Sequence, residues 1–193
     1  MPSESPHPSR KGLLFVTSGP SGSGKTTLCR MVEAHLHIPH NVSYTTRTPR
    51  AGEQNGRDYY FISDEQFEGM LREDRFAEWA EVHGKRYGTA KKDIEKKIDQ
   101  GEDIILDLDT QGALAIKKRY PEAFLIFIDV QDQILRSRLE HRGTESELNI
   151  EKRLAQVQHE RRMSLYYDYV LQNDELKQAF QDLVDFILKK RRS

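Results

Sequence analysis

The chain has 193 residues, enough for one well-buried domain with small insertions. Its 30 basic and 31 acidic groups leave a formal net charge of -1, which removes any general case for nucleic-acid binding. A lone cysteine, Cys29, excludes an intrachain disulfide and points to a reducing, cytoplasmic setting, and no apolar run approaches the roughly 18 residues of a membrane span.

The opening MPSESPHPSR has three prolines and no apolar stretch, so 1–10 reads as a disordered tail and not as a secretory signal. LLFVTS (13–18) reads as a buried strand. KTTLCRMVEAHL (25–36) sets Leu28, Met31, Val32 and Leu36 on one helix face. Between them lies Gly19-Pro20-Ser21-Gly22-Ser23-Gly24-Lys25-Thr26, followed by Thr27. A Gly-x-x-x-x-Gly-Lys-Thr run between a strand and a helix is the pattern of a phosphate-binding loop. Glycines let successive backbone N–H groups face one anion, and the helix N-terminus adds partial positive charge. Lys25 is expected to reach the outer phosphates of a nucleoside triphosphate, and the Thr26 hydroxyl to ligate Mg2+.

The texture changes at IPHNVSYTTRTPRAGEQNGRDYYF (38–61), which is polar, with strand-like ends at NVSYTT and DYYFI. SDEQFEGMLRED (63–74) has Ser63 followed by Gln66, the capping-box pattern of a short helix. RFAEWAEVHGKRYG (75–88) mixes strand and turn, so 41 to about 90 reads as an insertion with its own sheet. Arg47 and Arg50 flank Pro49 there. Two guanidinium forks held close suit a phosphate monoester, and a solvated loop explains them as well.

Strand–helix alternation then resumes. TAKKDIEKKIDQG (89–101) reads as a helix ending in glycine, and DIILDLD (103–109) as a strand whose Asp107 is placed to hold Mg2+ beside the cradle. TQGALAIKKRYP (110–121) is a helix stopped by proline, and AFLIFIDV (123–130) a central parallel strand. QDQILRSRLEHRG (131–143) and TESELNIEKRLAQVQHERRM (144–163) read as helices, DYVLQN (168–173) as a last strand, and DELKQAFQDLVDFILKK (174–190) as a closing helix. The order gives an α/β chain with a three-layer α/β/α core around a parallel sheet.

Six separated stretches, GPSGSGKTTL, VSYTTRTPRAGEQNGRDYYF, FAEWAEVHGKRYGT, ILDLDTQGA, RLEHRGTE with EKRL, and VLQNDEL, resemble guanylate kinases in order and spacing from about Lys11 onward. The resemblance implies a P-loop kinase fold. The core would be 11–40, 91–136 and 163–193, with a mixed β/α GMP-binding segment at 41–90 and a helical lid at 137–162. It implies transfer of the γ-phosphoryl of ATP to GMP, with Mg2+, and small-molecule partners only, with no nucleic acid or membrane, for a monomer or small homo-oligomer.

Carried over residue by residue, Arg47, Arg50, Tyr59 and Tyr87 would hold the GMP phosphate. Ser43 and Glu78 would read guanine, helped by Thr89, a position often serine, and Asp109. A carboxylate can accept from both N1–H and N2–H₂ of guanine, which adenine does not offer. Arg138, Arg142 and Arg153 correspond to lid arginines that join Lys25 and Arg47 in meeting transferred charge, although a solvated helix face also explains them. Asn173 falls where the family approaches the ATP base. A scaffold module of the same family would usually lack the intact loop, a kinase for a ribose bisphosphate would not need the base readers, and a GTPase would need an Asn-Lys-x-Asp stretch, which is absent.

Overall fold

The structure, a computed structural model, describes residues 10–82, 84–141 and 147–193. The chain opens with β1 (Leu14–Ser18), α1 (Lys25–Leu36), β2 (Tyr44–Thr45), β3 (Tyr60–Phe61) and α2 (Asp64–Arg72). It continues with β4 (Phe76–Val82), β5 (Lys85–Ala90), α3 (Lys91–Asp99), β6 (Ile104–Asp107) and α4 (Thr110–Arg119). Last come β7 (Phe124–Asp129), α5 (Asp132–His141), α6 (Glu147–Met163), a 3-10 turn (Ser164–Tyr166), β8 (Tyr169–Gln172) and α7 (Leu176–Arg191).

Four strands in the order β6-β1-β7-β8 pair in parallel. Side-chain alternation explains the layers. Phe15, Ile105 and Ile126 turn to the face covered by α1 and α7, where Leu28, Val32, Leu183 and Ile187 are fully or almost fully buried. Leu14, Val16, Ile104 and Leu106 turn to the face covered by α3 and α4, against Ile94, Ala113 and Ile116. This is the three-layer α/β/α arrangement expected from the alternation. Helices α5 and α6 share a smaller cluster of Val130, Leu135, Leu139, Ile150 and Val157. Among the described residues no helix is long and apolar enough to cross a membrane.

A second, mixed sheet runs β3-β2-β5-β4. Its helix α2 starts as the sequence suggests: Ser63 Oγ accepts from the Gln66 N–H at 3.2 Å, and Gln66 Oε1 accepts from the Ser63 N–H at 2.9 Å. Two details differ from the sequence reading. Helix α3 starts at Lys91 and not at 89, because Thr89 and Ala90 are still paired to β4. In β4 the register shifts between Phe76 and Glu78, a bulge that sets Glu78 opposite Thr89.

Arg10 and Arg191, near the two ends of the described chain, are tied to the residue that precedes β6. The Asp103 side chain, 1% exposed, accepts from Arg10 through both oxygens, from the Leu13 N–H at 2.8 Å, and from Arg191 Nε at 2.6 Å. Burial opposes the carboxylate, but these hydrogen bonds outweigh it and hold its pKa below the usual aspartate range. The stabilisation is therefore present above the unfolded-state pKa of about 3.9 and is lost as pH falls through the lower folded value. Asp103→Ala is expected to cost about 2–4 kcal/mol in denaturant unfolding at neutral pH, with the gap to the parent chain narrowing in acid. A constant gap down to strongly acid pH would contradict this account.

Candidate active site

Parallel strands end at one edge of the main sheet, and a cleft of about 1510 Å³ opens there against the second sheet. Pockets for one small ligand run roughly 300–1,000 Å³, so the space suits two. The loop after β1 forms the floor. Gly19 has φ 140°, and a Cβ there would stand 2.2 Å from the Ile128 carbonyl oxygen. Gly24 has φ 90°, and a Cβ would stand 2.4 Å from Asn173 Nδ2. Only glycine leaves this loop its path and its exposed amides.

Lys25 Nζ donates to the carbonyls of Gly19 at 2.7 Å and Pro20 at 3.1 Å, curled over its own loop. Thr26 Oγ1 donates to Asp107 Oδ2 at 2.8 Å, which brings the hydroxyl and the strand-end carboxylate together. Both are hard oxygen donors, the chemistry that Mg2+ takes. The loop residues Gly19, Ser21, Gly22, Gly24 and Thr27 line the cleft, whereas Pro20 and Ser23 are buried behind it. Ser21 Oγ accepts from Arg153 Nη1 at 2.8 Å, so α6 touches the cradle directly.

Asn173 and Arg138 sit behind the cradle, and Arg47, Arg50 and Thr89 lie outside the lining of the cleft, Arg47 and Thr89 next to residues that form it. Asn173 is 1% exposed and lies beneath the loop, where its Nδ2 donates to the Ser23 carbonyl at 2.6 Å. It shapes the cradle from behind and does not face the cleft. Arg138 donates to the backbone carbonyls of Asn173 at 2.8 Å and Asp174 at 3.3 Å, and it too stays out of the cleft wall. Arg142 lies outside the described residues.

The opposite wall comes from the second sheet: Ser43, Tyr59, Glu78 and Tyr87. Glu78 is 8% exposed. Its Oε1 accepts from the Thr89 hydroxyl at 2.5 Å, and its Oε2 would stand 3.0 Å from a Cβ on Gly112. Gly112 therefore admits the carboxylate to the first turn of α4. There Asp109 caps the helix, Oδ1 accepting from the Gly112 N–H at 2.7 Å. Burial pushes the Glu78 carboxyl up to about 7; the Thr89 hydroxyl pulls it down and the Asp109 charge pushes it up.

Tyr59 and Tyr87 meet edge to face, with ring centres 5.9 Å apart. Burial, then the nearby Asp107 charge, raises the Tyr59 phenol, so it remains a neutral hydrogen-bond donor. The Arg47 guanidinium lies 5.4 Å from the Tyr59 ring centre. It is paired bidentately with Glu53, through Nη1 at 2.9 Å and Nη2 at 2.8 Å. Arg50 is exposed, and its backbone N–H donates to the same carboxylate at 2.7 Å.

The sequence reading named Arg153 but missed Glu53 and the other residues of α6 that share the Arg153 face. Arg153, Gln156, Val157 and Glu160 line the cleft at helical spacing. Glu160 Oε2 is buried with no hydrogen-bond partner among the described residues. Its carboxyl is raised by burial, against the pull of Lys25.

The guanylate kinase family model matches residues 11–190. A guanylate kinase of Geobacter metallireducens is 45% identical over 184 residues, covering 94% of this chain and 91% of that protein. One from Fusobacterium nucleatum is 44% identical over 177 residues, covering 91% and 96%. The crystal structure of guanylate kinase from Anaplasma phagocytophilum superposes with a TM-score of 0.77 at 29% identity, covering 95% of this chain and 88% of that one. A shikimate kinase structure from Bacteroides thetaiotaomicron, at 15% identity and a TM-score of 0.53, shares the fold alone.

The Glu78 environment gives a direct test. Thr89→Val removes the hydroxyl that favours the carboxylate, so the Glu78 carboxyl should titrate above its value of about 7. Carbon NMR of the side-chain carboxyl against pH reads this; a downward shift would contradict the assigned hydrogen bond.

Proposed function

The chain belongs to the guanylate kinase family, and from that premise we propose how its residues divide the transfer of the γ-phosphoryl of ATP to GMP, giving ADP and GDP. The observation that carries the division is one cleft with two unlike walls. A main-chain amide cradle lies on one side, and a buried carboxylate beside a pair of tyrosines lies on the other.

The Gly19–Thr26 loop receives the triphosphate. Lys25 exchanges its two carbonyl partners for phosphate oxygens, which attract an ammonium more strongly than neutral carbonyls do. Thr26 and Asp107 would hold Mg2+, which supplies charge neutralisation on the phosphates when bound. Arg153, already at Ser21, meets charge that develops during transfer. Asn173 and Arg138 act from behind, the first under Ser23 and the second on the carbonyls that follow β8.

On the other wall Arg47, Arg50, Tyr59 and Tyr87 take the GMP phosphate, whose anionic oxygen is the nucleophile. Ser43 donates to guanine O6. Glu78 accepts from N1–H and N2–H₂, held by Thr89 and flanked by Asp109. A carboxyl near pH 7 in the empty site must ionise to accept both, so binding releases a proton when pH is below about 7. The phosphate oxygen is already charged, so the residues need only align the two phosphates and exclude water. We propose that segment 41–90 and the lid at 137–162 close over the pair to do this.

A coupled assay with ATP across the four nucleoside monophosphates tests the base reading. The parent chain should use GMP far ahead of AMP, and Glu78→Gln should erode that preference by about a hundredfold or more. Unchanged selectivity would remove Glu78 from the base site. KM for GMP should rise as pH drops below about 7, and this slope should flatten in Glu78→Gln. Lys25→Ala should lower kcat by roughly 10³ while calorimetry shows GMP binding retained. Equal loss of both would undo the separation of the two walls.

A further inference from the structure

We propose that Glu53 is a positioning residue for the acceptor phosphate: it clamps the far edge of the Arg47 guanidinium and so presets the edge that GMP meets. The inference rests on the reading of Arg47 as a phosphate-binding residue.

A guanidinium offers five N–H donors in one plane. In Arg47, Nη1 donates to the Thr48 carbonyl at 2.8 Å and to Glu53 Oε2 at 2.9 Å, so both of its hydrogens are used. Nη2 donates to Glu53 Oε1 at 2.8 Å. What remains is the second Nη2 hydrogen and Nε–H, which share one edge of the group. The face is fixed as well, with Tyr59 and Phe61 ring centres 5.4 Å and 5.7 Å from the guanidinium carbon. Arg47 also interacts with Tyr87, a residue of the cleft wall. A planar cation clamped along one edge and lying beside two rings keeps Nε–H and one Nη2 hydrogen on the opposite edge, where a phosphate would meet it.

Local sequence builds the clamp. Gly52 has φ 87°, and Glu53 N–H donates to the Arg50 carbonyl at 3.1 Å, so residues 50–53 turn back on themselves. That turn returns Glu53 to Arg47. Glu53 Oε2 also accepts from the Arg50 N–H at 2.7 Å, so the same carboxylate fixes the backbone that carries the second arginine. The Glu53 carboxyl is held below the usual glutamate range by Arg47 first and the Arg50 N–H second. The ordering entropy of Arg47 is then spent before the ligand arrives.

The test uses the full chain and four variants: Glu53→Gln, Glu53→Asp, Arg47→Ala, and Arg47→Ala combined with Glu53→Gln. Calorimetry reads binding of GMP and of guanosine, which lacks the phosphate; steady-state kinetics read KM for ATP. Glu53→Gln should weaken GMP binding by roughly ten- to a hundredfold, leave guanosine and ATP unchanged, and add nothing on top of Arg47→Ala. Glu53→Asp keeps the charge with a shorter reach and should lose less; it decides the matter if Glu53→Gln does not fold. Equal loss of GMP and guanosine, or full additivity with Arg47→Ala, would overturn the proposal. If Arg47→Ala itself leaves GMP binding intact, the phosphate-site reading fails instead. If Arg47→Ala weakens GMP and neither Glu53 variant does, only the role of Glu53 falls.

Discussion

Two phosphate groups must be brought into contact, and their mutual repulsion is the constraint on which the rest of the molecule depends. At 4 Å two unit charges repel by about 4 kcal/mol at an effective dielectric of 20, and a nucleotide pair carries several such charges. The cleft opposes this with main-chain amides and cations drawn from different elements. The cations of the site have partners of different kinds. Lys25 rests on neutral carbonyls, which are easily exchanged for phosphate. Arg153 rests on a hydroxyl among its contacts. Arg47 is held by a carboxylate, that of Glu53. Lys25 is thus held by partners that an anion displaces readily, whereas Arg47 is held by a full opposite charge.

Base recognition meets the opposite difficulty, an anion that resists burial. Glu78 is placed by a bulge, faces a helix turn at Gly112, and accepts a short hydrogen bond from the Thr89 hydroxyl. Desolvation dominates, so the empty site favours the protonated form more than an exposed glutamate would. A ligand that brings two donors repays that desolvation. A ligand without them leaves a buried acceptor unmatched. On the proposed reading, selectivity would follow from how poorly the carboxylate is satisfied before binding. The same side chain packs the second sheet against the first turn of α4 at Gly112.

Much of this was legible in the sequence, for identifiable reasons. The parallel sheet follows from continuous apolar runs such as AFLIFIDV, and the cradle follows from glycine spacing between a strand and a helix. The capping box at Ser63 and Gln66 was readable because both partners are local. What escaped depends on the return of a loop or the packing of a remote strand. Asn173 lies 150 positions from Ser23, and no pattern in VLQND says that its amide will support the loop from beneath. Arg138 is used on two backbone carbonyls, which sequence does not display. Glu53 was the nearest miss: Pro49 and Gly52 announce a turn, and a turn between Arg47 and Glu53 is enough to bring opposite charges together.

The helix pair α5–α6 is built as a unit apart from the two faces of the main sheet, with apolar contacts that form a cluster of their own. Arg161, near the C-terminal end of α6, fixes that end by donating to Asp129, to Asp132 at 2.6 Å and to the Val130 carbonyl at 2.6 Å. Eight residues earlier, Arg153 reaches the cradle through the Ser21 hydroxyl. A helix tied firmly at one end, with its own small core, can swing about that end while breaking few contacts of the sheet. The Ser21 hydroxyl is the contact through which Arg153 joins that helix to the cradle, and an anion on the loop would compete for the same arginine.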